Sequence, residues 1–313
     1  MIYRISPRST LPKLQPGDEI HLLAGDWDAV RFQQLAGTPE QPIIVKPAAE
    51  ALVRCTSIYT DASCCHLVID GALLQWRING ERVGALVLVH GNHCIVRNLW
   101  VGPDVNPEQF TLTDGIELRA QHCKAQYNLV TQVRRGISLR GEHCIAEQNH
   151  VIAAHEDHVR STRGATCIND NVLLDSMLGD PANHNDFIQG WDDTSPTPDE
   201  GVLRDWRVTN NLLRNSVDGT PCQGIGAFNG LVQGAIIRDN TVVTNHTLGI
   251  CIGHDDGCQV VNNIVLGVNP TSSLIRLRSA KAKPLPTVVT KNSVIQGNLS
   301  QGYDLRDGLK ELV

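Results

Sequence analysis

The chain has 313 residues, 41% of them hydrophobic and 19% charged, with a net charge of -6 and a pI near 6.0. That balance argues against a general nucleic-acid binder or an anionic-membrane binder, since a phosphate-binding surface needs a basic excess. The first eight residues, Met-Ile-Tyr-Arg-Ile-Ser-Pro-Arg, lack the apolar core of a secretion signal, and no later stretch approaches a membrane span. We expect no signal peptide, no membrane segment and a cytoplasmic protein.

Residues 14 to 47 are short apolar runs separated by Pro-Gly and Gly-containing turns, among them Glu19-Ile-His-Leu22 and Ile43-Ile-Val45. They read as strands, and no helical period competes. From residue 65 a repeat takes over, in which Cys or another apolar residue precedes Asn by four or five positions and an aliphatic run follows. It recurs from Cys94 to Asn98, Cys123 to Asn128, Cys144 to Asn149, Cys167 to Asn171, Trp206 to Asn211, Ala235 to Asn240 and Cys258 to Asn263, with a weaker copy at Asn292. Periods of this length indicate a solenoid, and units built only of strands and turns make it a β-helix. One domain is expected over residues 1–313, with an opening coil at 1–50, repeated coils at 51–300 and a C-terminal cap at 301–313.

The ten cysteines would suggest disulfides in a small secreted domain, but this chain is large and spaces them one per repeat. Cys65, Cys94, Cys123, Cys144, Cys167 and Cys258 are expected to stack as a ladder of buried thiols, with zinc the weaker alternative. The repeated Asn tolerates the left-handed backbone region, and its amide can bond its neighbour in the next coil. Both ladders are assigned structural roles. Two insertions, residues 179–185 with 190–201 and residues 279–286, break the period and suit binding loops.

Together, the opening coil from Pro16 to Gly25, the segment Gly37 to Val45 and the Asn repeats resemble the right-handed parallel β-helix proteins of the pectate-lyase-like superfamily. The likeness implies an all-β, single-stranded right-handed parallel β-helix with stacked Cys and Asn ladders. It is weak for the reaction, because that superfamily holds lyases, hydrolases, epimerases, phage tailspikes and silent members. It adds a virion-associated protein to the cytoplasmic reading. Polygalacturonate hydrolases carry an acid pair one coil after Thr-Asp, where this chain has Arg135 after Thr113 and Asp114. The Asp-Pro-His-Asp segment of mannuronan epimerases has its nearest counterpart in His155-Glu-Asp-His158.

Four segments align as rungs of one sheet: Asp114–Leu118, Arg135–Leu139, Asp157–Ser161 and Asp186–Gln189, each alternating apolar and polar residues. Stacking at roughly 4.8 Å places Asp157 beside Asp186 and Asp114 two rungs from Asp157. Two carboxylates flanking a glycosidic bond, about 5 Å apart for retention or about 6.5–9.5 Å for inversion, are what glycoside hydrolysis needs. The candidate catalytic set is therefore Asp157, Asp186 and Asp114 with His155 and His158, and the substrate-binding set is Arg135, Arg160, Arg140, Glu117, Gln189, His184 and Trp191.

A salt-bridge ladder through Arg135 would explain Asp114 and Asp157 without a substrate. Crowding of His155, Glu156, His158, His184, Asp192 and Asp193 in the same coils favours a site. Elimination from a uronate needs a base, for which His155 or His158 would serve, and a cation on the carboxylate. No lysine lies on these strands, which departs from the chondroitinase B-like lyases. No cofactor is required, although calcium held by Glu156, Asp157 and Asp186 is conceivable. The expectation is an enzyme cleaving an acidic polysaccharide, with hydrolysis slightly favoured, uronate elimination or epimerisation as the alternative, and a non-catalytic glycan-binding or structural β-helix as the second class. Trp191 and Phe110 are candidates for stacking on sugar rings. A homo-oligomer is compatible with the sequence, which has no obvious trimerising segment.

Overall fold

The computed structural model describes residues 1–80, 84–104, 112–177, 184–195, 201–217, 219–268, 271–277 and 294–305. Phe110, the insertion at 279–286 and the end of the expected cap lie outside them. The chain divides into two compact units, Met1–Ile152 and Ala153–Val313. The described residues contain no helix, and hence none long and apolar enough to cross a membrane. Both units are built from coils of right-handed parallel β-helix.

In Met1–Ile152 every coil contributes one strand to each of three parallel sheets. One coil runs through Ile95–Arg97, Leu99–Val101 and Asp114–Leu118, and the next through Lys124–Gln126, Leu129–Thr131 and Ile137–Leu139. The registers Val96↔Ala125, Val101↔Val130 and Ile116↔Ile137 stack like on like, so fully buried aliphatics line the interior of each coil. The coils of Ala153–Val313 repeat the plan, for example Ile168↔Val208↔Ile237↔Val260. A short extra sheet of Val202–Arg204, Leu231–Gln233 and Asp255–Asp256 is added there.

From strand Lys124–Gln126 onward, the bend after the first strand of each described coil is one left-handed residue followed by an asparagine. Tyr127, Gln148, Asp170, Asn210, Asp239 and Asn262 have φ between 55 and 58°, and Asn128, Asn149, Asn171, Asn211, Asn240 and Asn263 follow them. A non-glycine residue there costs about 1–2 kcal/mol. The asparagine after it offsets that cost. Its amide nitrogen donates to the next Asn Oδ1, as in Asn128 to Asn149 at 2.9 Å, Asn171 to Asn211 at 3.0 Å and Asn240 to Asn263 at 2.9 Å. The ladder asparagine was expected to take the left-handed conformation itself, whereas that strain falls one residue earlier. Asn98, with φ 56°, is therefore equivalent to Tyr127, and Leu99 stands at the ladder position, its N–H reaching Asn128 Oδ1 at 3.1 Å.

The thiol ladder is likewise real but differently populated. Cys94, Cys123 and Cys144 stack, while the register Val68↔Ile95 gives Leu67 the place assigned to Cys65, and Cys65 bridges Ala36 and Asn92. Cys167 pairs with Arg207, so Thr166 and not Cys167 matches Trp206. All ten cysteines are free thiols, and burial pushes Cys55 up to about 12 and Cys258 up to about 11, which keeps these two protonated. The exchange of a thiol for the Trp206 indole needs room. A Cβ on Gly190 would lie 2.9 Å from the Trp206 ring, so the glycine accommodates the larger side chain.

A third ladder, absent from our sequence reading, runs along the turn before the thiols. The rings of His66, His93, His122 and His143 stack with centroids 4.7 to 4.8 Å apart and interplanar angles of 12° or less. Each has φ between 48 and 59°. The sequence signal was the His-Cys pair at 93–94, 122–123 and 143–144.

Candidate active site

The site lies within Ala153–Val313, where strand Val159–Ser161 pairs with Asn185–Gly190 in the register Val159↔Ile188. Counting back two residues sets Asp157 beside Asp186, and the His158 N–H donates to the Asp186 carbonyl at 3.0 Å. The sequence alignment of the two acids is thus reproduced. Their environment is not the solvated groove face expected from alternation, since the Asp157 and Asp186 side chains are 1% and 0% exposed.

Each acid has one basic partner. Arg160 Nε donates to Asp157 Oδ2 at 2.5 Å, its Nη2 lies 3.6 Å from Glu156, and its guanidinium carbon sits 4.9 Å from the centroid of the Trp191 ring. His184 Nδ1 lies 2.9 Å from Asp186 Oδ2, and its ring meets Phe228 edge-on at 5.8 Å. The remaining oxygens, Asp157 Oδ1 and Asp186 Oδ1, are buried without a hydrogen-bond partner among the described residues. Burial, only partly opposed by Arg160, pushes Asp157 up to about 7, and burial also raises Asp186 against the pull of His184. The charge of the neighbouring Asp186 adds to the rise at Asp157.

His184 is the group of this cluster that reaches solvent, with a side chain 54% exposed. The hydrogen bond to Asp186 raises its pKa, opposed by partial burial and, more weakly, by the charge of Arg160. An imidazole fixed through one nitrogen by a buried carboxylate, with its other edge exposed, has the chemistry to transfer a proton.

The other candidates fall into place around this arrangement. His158 is fully buried, its Nε2 facing the carbonyls of Leu174 and Asp175 at 3.1 and 3.0 Å, and burial lowers its pKa. This is a neutral imidazole bracing main chain, and so not the exposed base that elimination would need. His155 is also buried. Gln189 stands in register with Arg160 on one side and Gly226 on the other. Asp192 closes its own turn through Thr194 and Val202, and Asp193 pairs with Arg163. Asp114, Glu117, Arg135 and Arg140 belong to Met1–Ile152, where they form their own ion pairs. Asp114 binds Arg134 at 2.8 Å and Arg135 at 3.4 Å, and Glu117 binds Arg119 at 2.8 Å and Arg140 at 3.1 Å. Those four read best as the salt-bridge ladder.

Phe228 was missed by sequence reasoning. A Cβ on Gly226 would lie 2.3 Å from its ring, so the glycine pair at 224 and 226 inside a strand was the signal that something lies close against the backbone. Calcium does not fit the residues present. The Arg160 guanidinium already engages Glu156 and Asp157, and among the described residues no three His, Cys, Asp or Glu side chains gather to hold a metal.

The raised Asp157 pKa has a stability consequence. A carboxyl whose folded pKa is raised stabilises the fold below its unfolded value of about 4 and loses that contribution as pH rises through the folded value. For Asp157 the loss runs from about pH 4 to about 7. Scanning calorimetry across that range should show Asp157→Asn gaining stability relative to the parent as pH rises; a constant offset would mean that Asp157 does not titrate there.

No protein-family model and no curated protein matches the sequence, but nineteen chains of solved structures match it. The PL6 family alginate lyase AlyGC superposes with a TM-score of 0.53 at 13% identity, covering 100% of this chain and 50% of that one. The two chains share the parallel β-helix fold. This chain thus spans about half the length of AlyGC. A mannuronic acid specific polysaccharide family 6 lyase from human gut microbiota gives 0.49 at 14% identity over 97% of this chain and 82% of that one. Pectate lyase Pel9A gives 0.40 at 12% identity over 99% and 78%.

Proposed function

We propose that the chain cleaves an acidic polysaccharide by β-elimination, with His184 as the proton-transfer group. The observation that carries this reading is the contrast in exposure between His184 and the two acids behind it. Buried carboxylates cannot flank a glycosidic bond, so the hydrolysis slightly favoured from sequence loses its main support. They are well placed instead to position the imidazole and the guanidinium. The fold shared with AlyGC, an alginate lyase, makes a uronate polymer the first substrate to try.

In elimination, neutral His184 would take the proton on the carbon next to the uronate carboxylate. The electrons of that C–H bond form the new double bond, the bond from the neighbouring carbon to the glycosidic oxygen breaks, and that oxygen leaves with the proton handed back by the His184 imidazolium. No water is consumed. Arg160, held by Asp157 and Glu156, supplies the positive charge that stabilises the carboxylate as its adjacent carbon loses the proton. Trp191 covers that guanidinium and fixes its plane.

The test is mass spectrometry of products from alginate, polygalacturonate and neutral glucans. Unsaturated fragments without added water are expected from a uronate polymer. Fragments that have gained water would overturn elimination and return the Asp157–Asp186 pair to the reacting centre. No fragments from any polymer would favour the glycan-binding reading.

A further inference from the structure

We infer that a groove on the second sheet of Met1–Ile152 is a binding site for a uronate-bearing oligosaccharide, built from residues that the His184 cluster does not use. The groove has a volume of about 380 Å³ and is lined by Asp26, Trp27, Arg54, Arg77, Trp100 and Asp104, among others. Its floor follows from strand register. Asp26↔Arg54, Arg54↔Arg77 and Arg77↔Trp100 are neighbours on successive coils, so an acid, two arginines and an indole form one row.

Both indoles are fixed at their polar ends. Trp27 Nε1 donates to the Leu23 carbonyl at 3.2 Å, and Trp100 Nε1 to Thr131 Oγ1 at 3.3 Å. A tethered indole is a rigid apolar surface, which suits the C–H face of a pyranose ring. Arg77 lies over Trp100 with its guanidinium carbon 4.2 Å from the centroid.

The arginines call for a carboxylate. Like charges directly opposite on neighbouring strands repel. Among the described residues each arginine makes one long contact to an exposed acid, Arg54 to Asp26 at 3.5 Å and Arg77 to Asp104 at 3.3 Å, with those carboxylates 83% and 72% exposed. Such pairs contribute little, and a ligand can displace them. Arg77 Nε, moreover, is buried without a hydrogen-bond partner among the described residues. A carboxylate on a sugar ring would accept from this guanidinium pair while the ring packs on an indole. Two acids balance the two arginines across the groove, which disfavours a dense polyanion such as nucleic acid and suits one carboxylate per ring.

The experiment is titration calorimetry of the full chain carrying His184→Ala, which prevents turnover, with oligouronates of four to six rings and with neutral cello-oligosaccharides of equal length. Oligouronate binding should weaken at least tenfold on adding Trp100→Ala, and also on adding Arg54→Ala, an exposed change that leaves the core intact. Restoring His184 in a non-cleaved analogue titration should leave this binding unchanged. Equal binding of the neutral oligomers would overturn the assignment to a uronate. Oligouronate binding that survives Trp100→Ala and Arg54→Ala would overturn the site, while leaving the elimination reading to its own product analysis. Absence of oligouronate binding would overturn the site as well.

Discussion

His184→Ala is expected to lower turnover of a uronate polymer by about 10²–10⁴-fold, the usual contribution of a positioned acid–base group, with the unfolding temperature close to that of the parent. The second half of that expectation follows from exposure, because a half-exposed ring removes little packing when truncated. A drop in turnover of less than tenfold would exclude His184 as the proton-transfer group. Asp186→Asn provides a sharper reading of the same pair. Asp186 raises the His184 pKa, and a base must be neutral to accept a proton, so the acid limb of the kcat/KM profile should move to lower pH in Asp186→Asn. The rate should fall as well, since the imidazole loses its anchor. A purely structural Asp186 would lower the rate without moving the limb.

The fold was legible because a β-helix repeats its constraints at every coil. One left-handed bend and one amide per turn suffice to close it, and Asn128, Asn149, Asn211, Asn240 and Asn263 were visible as a period before any strand was placed. What the repeat could not supply was register to a single residue. Cys94 precedes Asn98 by four and Cys123 precedes Asn128 by five, and only the pairing Val96↔Ala125 reveals that Leu99 matches Asn128. The candidate site was legible in one respect, the adjacency of Asp157 and Asp186, because that depends on register alone. It was illegible in burial. Alternation predicts which side of a flat strand a residue faces, but Asp157 precedes the paired segment Val159–Ser161, and strand Asn185–Gly190 is buried at both Asp186 and its neighbour Phe187. The role of His184 could not be read from a repeat, since it lies in an insertion with no equivalent in neighbouring coils.

The largest stability loss is expected from Asn211→Asp. Asn211 Nδ2 donates to the carbonyls of Ile168 and Thr209 and to Asn240 Oδ1, each at 2.9 Å, while its Oδ1 accepts from Asn171 N and Nδ2 at 3.0 Å. An aspartate keeps the accepting oxygen and points a second one at three acceptors, in a position 2% exposed. An uncompensated buried charge costs about 3–5 kcal/mol. Asn298 gives the comparison. Its Nδ2 donates to Val260 O at 2.8 Å and its Oδ1 accepts from Asn263, but the residue is only partly buried. Water can replace the lost donor there, so Asn298→Asp should cost about 0.5–1.5 kcal/mol, the scale of a single hydrogen bond. Denaturant midpoints of the two variants separate the cases. Equal losses would mean that the ladder is as wet at Asn211 as at Asn298, and that the amide stack does not carry the strain of the left-handed residues beside it.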